Sequence, residues 1–313
     1  MTISGIHHVT AIASDPQRNL DFYSAVLGLR LVKLTINFDD PGTYHFYFGN
    51  REGAPGSILT FFPWPGVPRG SVGNGQVCAT TFAVPTGALD YWASRLTAAR
   101  APVGPLADRF GERVLRFADP DGLQLELIET AGADPGRAWS GGQVEPAHAI
   151  CGFHSATLSE EGYERTASLL VDTMGWTLSG NEGNRYRYVA GGSASAGSMV
   201  DILCAPDARA GRSGGGTVHH IAWRTPDDAQ QLLWRSKLVQ EGYNVTPVMD
   251  RTYFHSIYYR EPGGVLFEIA TDPPGFAIDE SLDHLGERLM LPPWLEPHRG
   301  QVERALPALT RQT

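Results

Sequence analysis

Thr217-Val218-His219-His220-Ile221 opens, and Pro262-Gly263-Gly264-Val265-Leu266-Phe267-Glu268-Ile269-Ala270 closes, the segment 216–272 on which the reading of this chain turns. The first run reads as a β-strand carrying a histidine pair, the second as a strand with one carboxylate among apolar side chains. A carboxylate in such a run costs several kcal/mol unless it is paired, hydrogen-bonded or bound to a metal. Histidines on a nearby strand supply the imidazoles that such a metal would take.

Both signatures have counterparts elsewhere in the chain. Residues 6–13 (Ile-His-His-Val-Thr-Ala-Ile-Ala) read as a strand. Ser14-Asp15-Pro16 then starts a helix with a cap residue and an early proline, and the apolar stripe Leu20, Phe22, Tyr23 and Val26 carries it to Leu27-Gly28. Strand-like runs at 29–33, 44–48 and 57–62 complete a βαβββ unit. After a turn-rich connector from 63 to 75 the pattern returns, with a strand at 78–84, a helix at 88–99 and closing strands at 114–118 and 124–128. A polar linker covers 131–147. Beyond it, Gly152-Phe153-His154-Ser155-Ala156-Thr157-Leu158 matches the opening strand, and Met174-Gly175-Trp176-Thr177-Leu178 echoes Leu27-Gly28-Leu29-Arg30-Leu31.

The spacing from His8 to His154 nearly equals that from Glu126 to Glu268, which points to a duplication. The fold class expected is therefore α+β: four βαβββ modules in two tandem halves, 1–147 and 148–313, forming cupped mixed sheets. The tail from 273 to 313, with Pro292-Pro293-Trp294, is expected to form a helix or two and a proline-rich wrap that lines or covers a site.

Composition narrows the partners. The chain has 313 residues, enough for two domains of ordinary size, and its 42% hydrophobic and 19% charged content is that of a globular protein. No apolar run is long enough for a membrane helix. The N-terminus enters a strand pattern at once, without the basic and apolar regions of a signal peptide, so a cytoplasmic location is expected. A net charge of −9 with scattered arginines argues against nucleic acid and anionic membrane, and for a small-molecule partner. Cys78, Cys151 and Cys204 are widely spaced and form no CxxC, which fits buried thiols in a reducing compartment.

Successive strand residues face opposite ways, so each His-His pair offers one direct ligand at most. Matching the strands puts His8, His154 and His220 at one position and Thr60, Glu126, Asp201 and Glu268 at another. Two sites emerge. The first takes His8, His220 and Glu268, with Thr60 in the fourth place, and requires the first and fourth modules to face each other. The second would take His154, Glu126 and Asp201, residues read instead as relics of duplication held by salt bridges or hydrogen bonds. Two imidazoles and one carboxylate with open positions suit non-haem Fe(II) and oxygen activation, so the first site is preferred. Around it lie Thr10, His219, Arg251 and Tyr258, groups able to orient a phenolate and move protons.

These residues resemble a known pattern. Gly5-Ile6-His7-His8-Val9-Thr10, Val218-His219-His220-Ile221-Ala222, Asp250-Arg251-Thr252-Tyr253-Phe254 and the run from Ser256 to Phe276 are similar to the vicinal oxygen chelate superfamily, which includes glyoxalases, bleomycin resistance proteins and extradiol dioxygenases. Within it the chain looks most like the hydroquinone ring-cleaving dioxygenases. The resemblance implies two glyoxalase-like halves and first-with-fourth module pairing. It also implies an Fe(II) site of His8, His220 and Glu268, with Mn(II) or Zn(II) as alternatives, surrounded by Thr10, His219, Arg251 and Tyr258. The implied partners are a small aromatic diol, a substituted hydroquinone, and O2, with a homo-oligomer compatible with the sequence. The superfamily's metal-dependent isomerases and thiol transferases are the competing reading. Ring substituents, hydroquinone against catechol, the native metal and the subunit number stay open at this point.

Overall fold

The computed structural model describes residues 1, 3–192 and 195–310; the last three residues of the expected tail, 311–313, lie outside the described residues. Four modules follow in chain order. The first has β1 (Ile6–Ala13), α1 (Pro16–Asp21), β2 (Arg30–Asn37), β3 (Asp40–Gly49) and β4 (Ile58–Pro63). The second has β5 (Gln76–Val84), α2 (Leu89–Ala98), β6 (Val103–Arg109), β7 (Glu112–Ala118) and β8 (Gln124–Glu129). The third has β9 (Gly152–Glu160), α3 (Glu164–Ser168), β10 (Thr177–Glu182), β11 (Arg185–Val189) and β12 (Met199–Cys204). The fourth has β13 (Thr217–Thr225), α4 (Asp228–Gln240), β14 (Met249–Asp250), β15 (Phe254–Arg260) and β16 (Leu266–Pro274).

The strands form two eight-stranded sheets, each drawing one module from each half. The first and fourth modules pair in the order β14-β15-β16-β13-β1-β4-β3-β2, the second and third in the order β10-β11-β12-β9-β5-β8-β7-β6. The pairing that His8 demands is therefore present, with β1 antiparallel to β13 at the centre of its sheet. Gly5 and Gly216 each precede a histidine strand with positive φ, and a Cβ on them would strike the carbonyl oxygens of Gly197 and Asp121. Only glycine brings the backbone that close.

Duplication reaches the local detail. Both α1 and α3 run on into a π-helical turn, Phe22–Val26 and Leu169–Thr173, and each ends at a glycine with positive φ, Gly28 or Gly175. The helices bury Leu20, Trp92, Leu170 and Trp234 in the principal core. The tail wraps as expected. Leu291, Val302 and Leu306 join that core, while Phe276 packs on Tyr47 and Tyr253 behind the site. Lys33, wholly buried, ties the tail down through Asp279 and Glu280 at 2.5 and 2.6 Å. Among the described residues no helix is long and apolar enough to cross a membrane.

One buried acid sets a pH dependence. Glu160, at the end of β9, is fully buried, and neither of its carboxylate oxygens has a well-aligned hydrogen bond. Burial first, then the charge of the nearby Glu261, pushes its carboxyl up to about 8. The folded state thus holds this proton more tightly than the unfolded chain does. Its stabilising contribution is present at low pH and is lost as the pH rises from about 4.5 through about 8. Glu160→Gln should remove a pH-dependent loss on the order of 4 kcal/mol. Thermal melts across that window are expected to show the wild type falling with pH relative to the variant.

Candidate metal centre and its cavity

The site is built on β-bulges at the sheet centre. In the pairing of β1 with β13 the ladder skips His7 and His219, and between β5 and β9 it skips Cys78 and His154. These four residues are equivalent. Each stands three before the residue that faces the carboxylate position on the neighbouring strand: Thr10 faces Thr60, Thr81 faces Glu126, Thr157 faces Asp201 and Ala222 faces Glu268. The sequence match is thereby corrected by one residue. His154 corresponds to His7 and His219, and the counterpart of His8 and His220 in the third module is Ser155. Bulges re-aim side chains beside sites, and those at His7 and His219 bring the rings of two consecutive histidines together.

His8, His220 and Glu268 converge, with one ligand atom from each within 4.8 Å of the others. Glu268 Oε2 lies 3.3 Å from His8 Nε2 and 3.0 Å from His220 Nε2, and the two Nε2 atoms are 3.4 Å apart. The Nδ1 atoms are engaged elsewhere: His8 Nδ1 with His7 Nδ1 at 2.9 Å, and His220 Nδ1 with His219 Nδ1 at 2.8 Å. Each such contact is a hydrogen bond only if one of its two nitrogens carries a proton. With that proton on His8 and on His220, both Nε2 lone pairs face the carboxylate. Ser256 donates to Glu268 Oε1, whereas Oε2 is buried with no well-aligned hydrogen bond. Burial alone would raise the Glu268 carboxyl; with no cation between them, an imidazole proton on Nε2 reverses this and holds it well below the usual range. Burial lowers His220. Three lone-pair donors around one point, one of them an orphaned buried carboxylate oxygen, fit a divalent cation.

Beside this cluster opens a cavity of about 380 Å³. Its walls include Thr10, His219, Arg251 and Tyr258, so the structure gathers these four beside His8, His220 and Glu268. Arg251 donates from Nε to the Tyr258 oxygen at 3.2 Å and pairs with Asp39 at 3.1 Å. Burial first, then the charge of Glu268, raises the Tyr258 phenol, so it stays protonated. Phe38, Phe62, Trp64, Phe254 and Leu266 give the cavity an apolar lining, and Trp294 of the tail packs on Phe38.

Thr60, the residue expected in the fourth place, makes two hydrogen bonds. Its hydroxyl is bonded to Thr10 and to His45, each at 2.9 Å. Sequence reasoning missed His45 and Tyr47, which also line the cavity, and Ser256. A histidine in the otherwise aromatic run Tyr44-His45-Phe46-Tyr47-Phe48 was the available signal. His45 is held well below its ordinary range by burial, then by the charges of His8 and His220.

The other module pair shows what replaces a metal. Glu126 receives both terminal nitrogens of Arg109 at 2.6 and 2.7 Å and the hydroxyl of Thr81 at 2.8 Å. Asp201 receives Arg187 at 2.8 and 3.2 Å and Arg185 at 3.1 Å. His154 turns to Glu112 at 2.9 Å. Guanidiniums satisfy both carboxylates, and His154, Glu126 and Asp201 form no common cluster, which agrees with the salt-bridged reading.

The glyoxalase/bleomycin resistance protein/dioxygenase superfamily model matches residues 5–127 and 152–269. The chain belongs to this superfamily. MhqO of Bacillus subtilis (strain 168), provisionally named a ring-cleaving dioxygenase, is 52% identical over 302 residues, covering 96% of this chain and 95% of that protein. A protein named chlorohydroquinone/hydroquinone 1,2-dioxygenase of Sphingobium indicum is 36% identical over 313 residues, covering 97% of this chain and 96% of that protein. A crystal structure of a Bacillus subtilis protein provisionally described as a dioxygenase overlays with a TM-score of 0.95 at 50% identity, covering 100% of this chain and 99% of that one. Glyoxalase I from Zea mays, at 13% identity and a TM-score of 0.64, shares the superfamily fold. Together the metal-capable cluster and these relatives support a metal-dependent dioxygenase.

Proposed function

We propose that this chain is a non-haem Fe(II) ring-cleaving dioxygenase that inserts O2 into an aromatic diol, with a substituted hydroquinone as its substrate. The observation that carries the proposal is the convergence of His8 Nε2, His220 Nε2 and Glu268 Oε2 on the wall of a cavity lined by aromatic side chains. This donor set leaves positions open on a hard-to-borderline metal, as oxygen-activating iron requires. Iron held there would supply a shared binding point for the diol and O2 and a route for electrons between them.

The remaining work falls to the chain. The aromatic lining holds the ring and excludes water. Hydroquinone oxygens are para to each other, so only one can reach the metal, and protein groups must hold the ring's other end. Arg251 offers a positive charge for a phenolate oxygen and fixes the Tyr258 hydroxyl, which can donate a proton as the ring opens. With its Nδ1 engaged by His220, His219 presents Nε2 to the cavity as a further donor.

Oxygen uptake by anaerobically Fe(II)-loaded protein tests the reading, using methylhydroquinone, chlorohydroquinone and catechol. Uptake with a hydroquinone is expected. Absence of uptake with every diol, in protein shown to hold iron, would transfer the proposal to a glyoxalase-like isomerase or thiol transferase.

A further inference from the structure

Two residues of the cavity wall have no task in this scheme. Tyr47 and His45 lie on β3 with their rings 4.0 Å apart, and from them a line of hydrogen bonds runs towards the candidate metal centre. The Tyr47 hydroxyl is 2.9 Å from His45 Nδ1, His45 Nε2 is 2.9 Å from the Thr60 hydroxyl, and that hydroxyl is 2.9 Å from the hydroxyl of Thr10. Thr10 stands two residues after His8 on β1, hence on the same face, and lines the cavity.

Each joint holds one hydrogen, and Thr60 has only His45 and Thr10 as partners for its hydroxyl, so a bond accepted from one is passed on to the other. Phenol is the stronger acid and imidazole nitrogen the stronger base, which favours donation from Tyr47 to His45. The opposite direction would leave the phenolic hydrogen without a protein acceptor among the described residues. Tyr47 is only 2% exposed, its ring is enclosed by Tyr253, Phe254 and Phe276, and an unmet buried donor costs about 1–3 kcal/mol. With Tyr47 donating, His45 carries its proton on Nε2 and gives it to Thr60, and Thr60 donates to Thr10. The hydrogen left over belongs to Thr10 and faces the cavity.

We infer that Tyr47 and His45 are positioning residues that set the direction of this chain, so that Thr10 presents a hydrogen-bond donor to an anionic oxygen bound beside His8. The identity of that oxygen, on a diol or on O2, rests on the function proposed above. The direction of the chain does not.

Nitrogen-15 NMR of histidine-labelled, metal-free protein reads the direction without any turnover. His45, assigned by its loss in His45→Gln, is expected to be protonated at Nε2 and bare at Nδ1, and Tyr47→Phe should abolish that preference. Protonation at Nδ1 in the wild type would overturn the inference. Methylhydroquinone binding to anaerobic Fe(II) protein reads the consequence. Its dissociation constant should rise about tenfold in Thr10→Val and in Tyr47→Phe, the worth of one charge-assisted hydrogen bond, and no further in the double variant. His45→Gln, which retains an acceptor and a donor, should stay near wild type, whereas His45→Leu should match Thr10→Val. Additive losses in the double variant would contradict coupling through the chain. Failure of the wild type to bind the diol would count against the dioxygenase reading, and the NMR result would still decide the direction.

Discussion

Glu268→Gln is expected to yield a folded protein that no longer retains iron and whose oxygen uptake with a hydroquinone falls on the order of a thousandfold. Mutations around a metal commonly cost ten- to a hundredfold in affinity, and loss of a ligand exceeds that. Glutamine keeps the volume and can still accept from Ser256, so the packing of β16 survives. What disappears is the charge that faces the Nε2 atoms of two imidazoles at 3.3 and 3.0 Å. In the metal-free state the variant should be no more stable than the wild type, because it loses the attraction to the two imidazoles that holds the Glu268 carboxyl low. The two should separate when metal is added. Saturating Fe(II) stabilises the wild type by about 4 kcal/mol at a thousand times its dissociation constant, and the variant hardly at all. Anaerobic thermal melts with and without Fe(II) check this; an equal shift in both proteins would place the ion elsewhere.

Arg251→Met is expected to behave differently, with iron content unchanged and kcat/KM lowered about a hundredfold, the scale of removing one fixed group from a developing negative charge. Arg251 reaches Tyr258 with one nitrogen and Asp39 with another, so it fixes a proton donor while supplying a charge. Methionine fills the space and does neither. Arg251→Lys should recover part of the loss only, since an ammonium on a flexible stem cannot hold both partners in one plane. Steady-state rates on iron-replete variants decide the matter. Activity of Arg251→Met within about threefold of wild type would remove Arg251 from the chemistry, because surface ion pairs are worth little.

Much of this architecture was legible in the sequence. The strand carrying His8 was read as 6–13 and is Ile6–Ala13, since a glycine and a helix cap bracket an unbroken apolar run. Glu268 was legible because an acid among Leu266, Phe267, Ile269 and Ala270 demands a partner. β6 was not read: Val103-Gly104-Pro105-Leu106-Ala107-Asp108-Arg109 carries Gly and Pro, as the edge position of its sheet allows. The one-residue slip at His154 has a definite cause. Strict alternation along a strand cannot foresee a bulge, and all four first strands carry one. His45 and Tyr47 escaped because Thr60, which bonds His45 and lies opposite Tyr47, is on another strand, and a lone histidine in an aromatic run reads equally well as a core residue.

The most direct measurement supplies oxygen-18 gas to the iron-loaded protein with methylhydroquinone and follows gas uptake and product mass together. One O2 consumed per diol, loss of the aromatic absorption, and a single ring-opened product carrying both labelled atoms are expected of a ring-cleaving dioxygenase. Formation of methylbenzoquinone with hydrogen peroxide, and no label in the organic product, would contradict it.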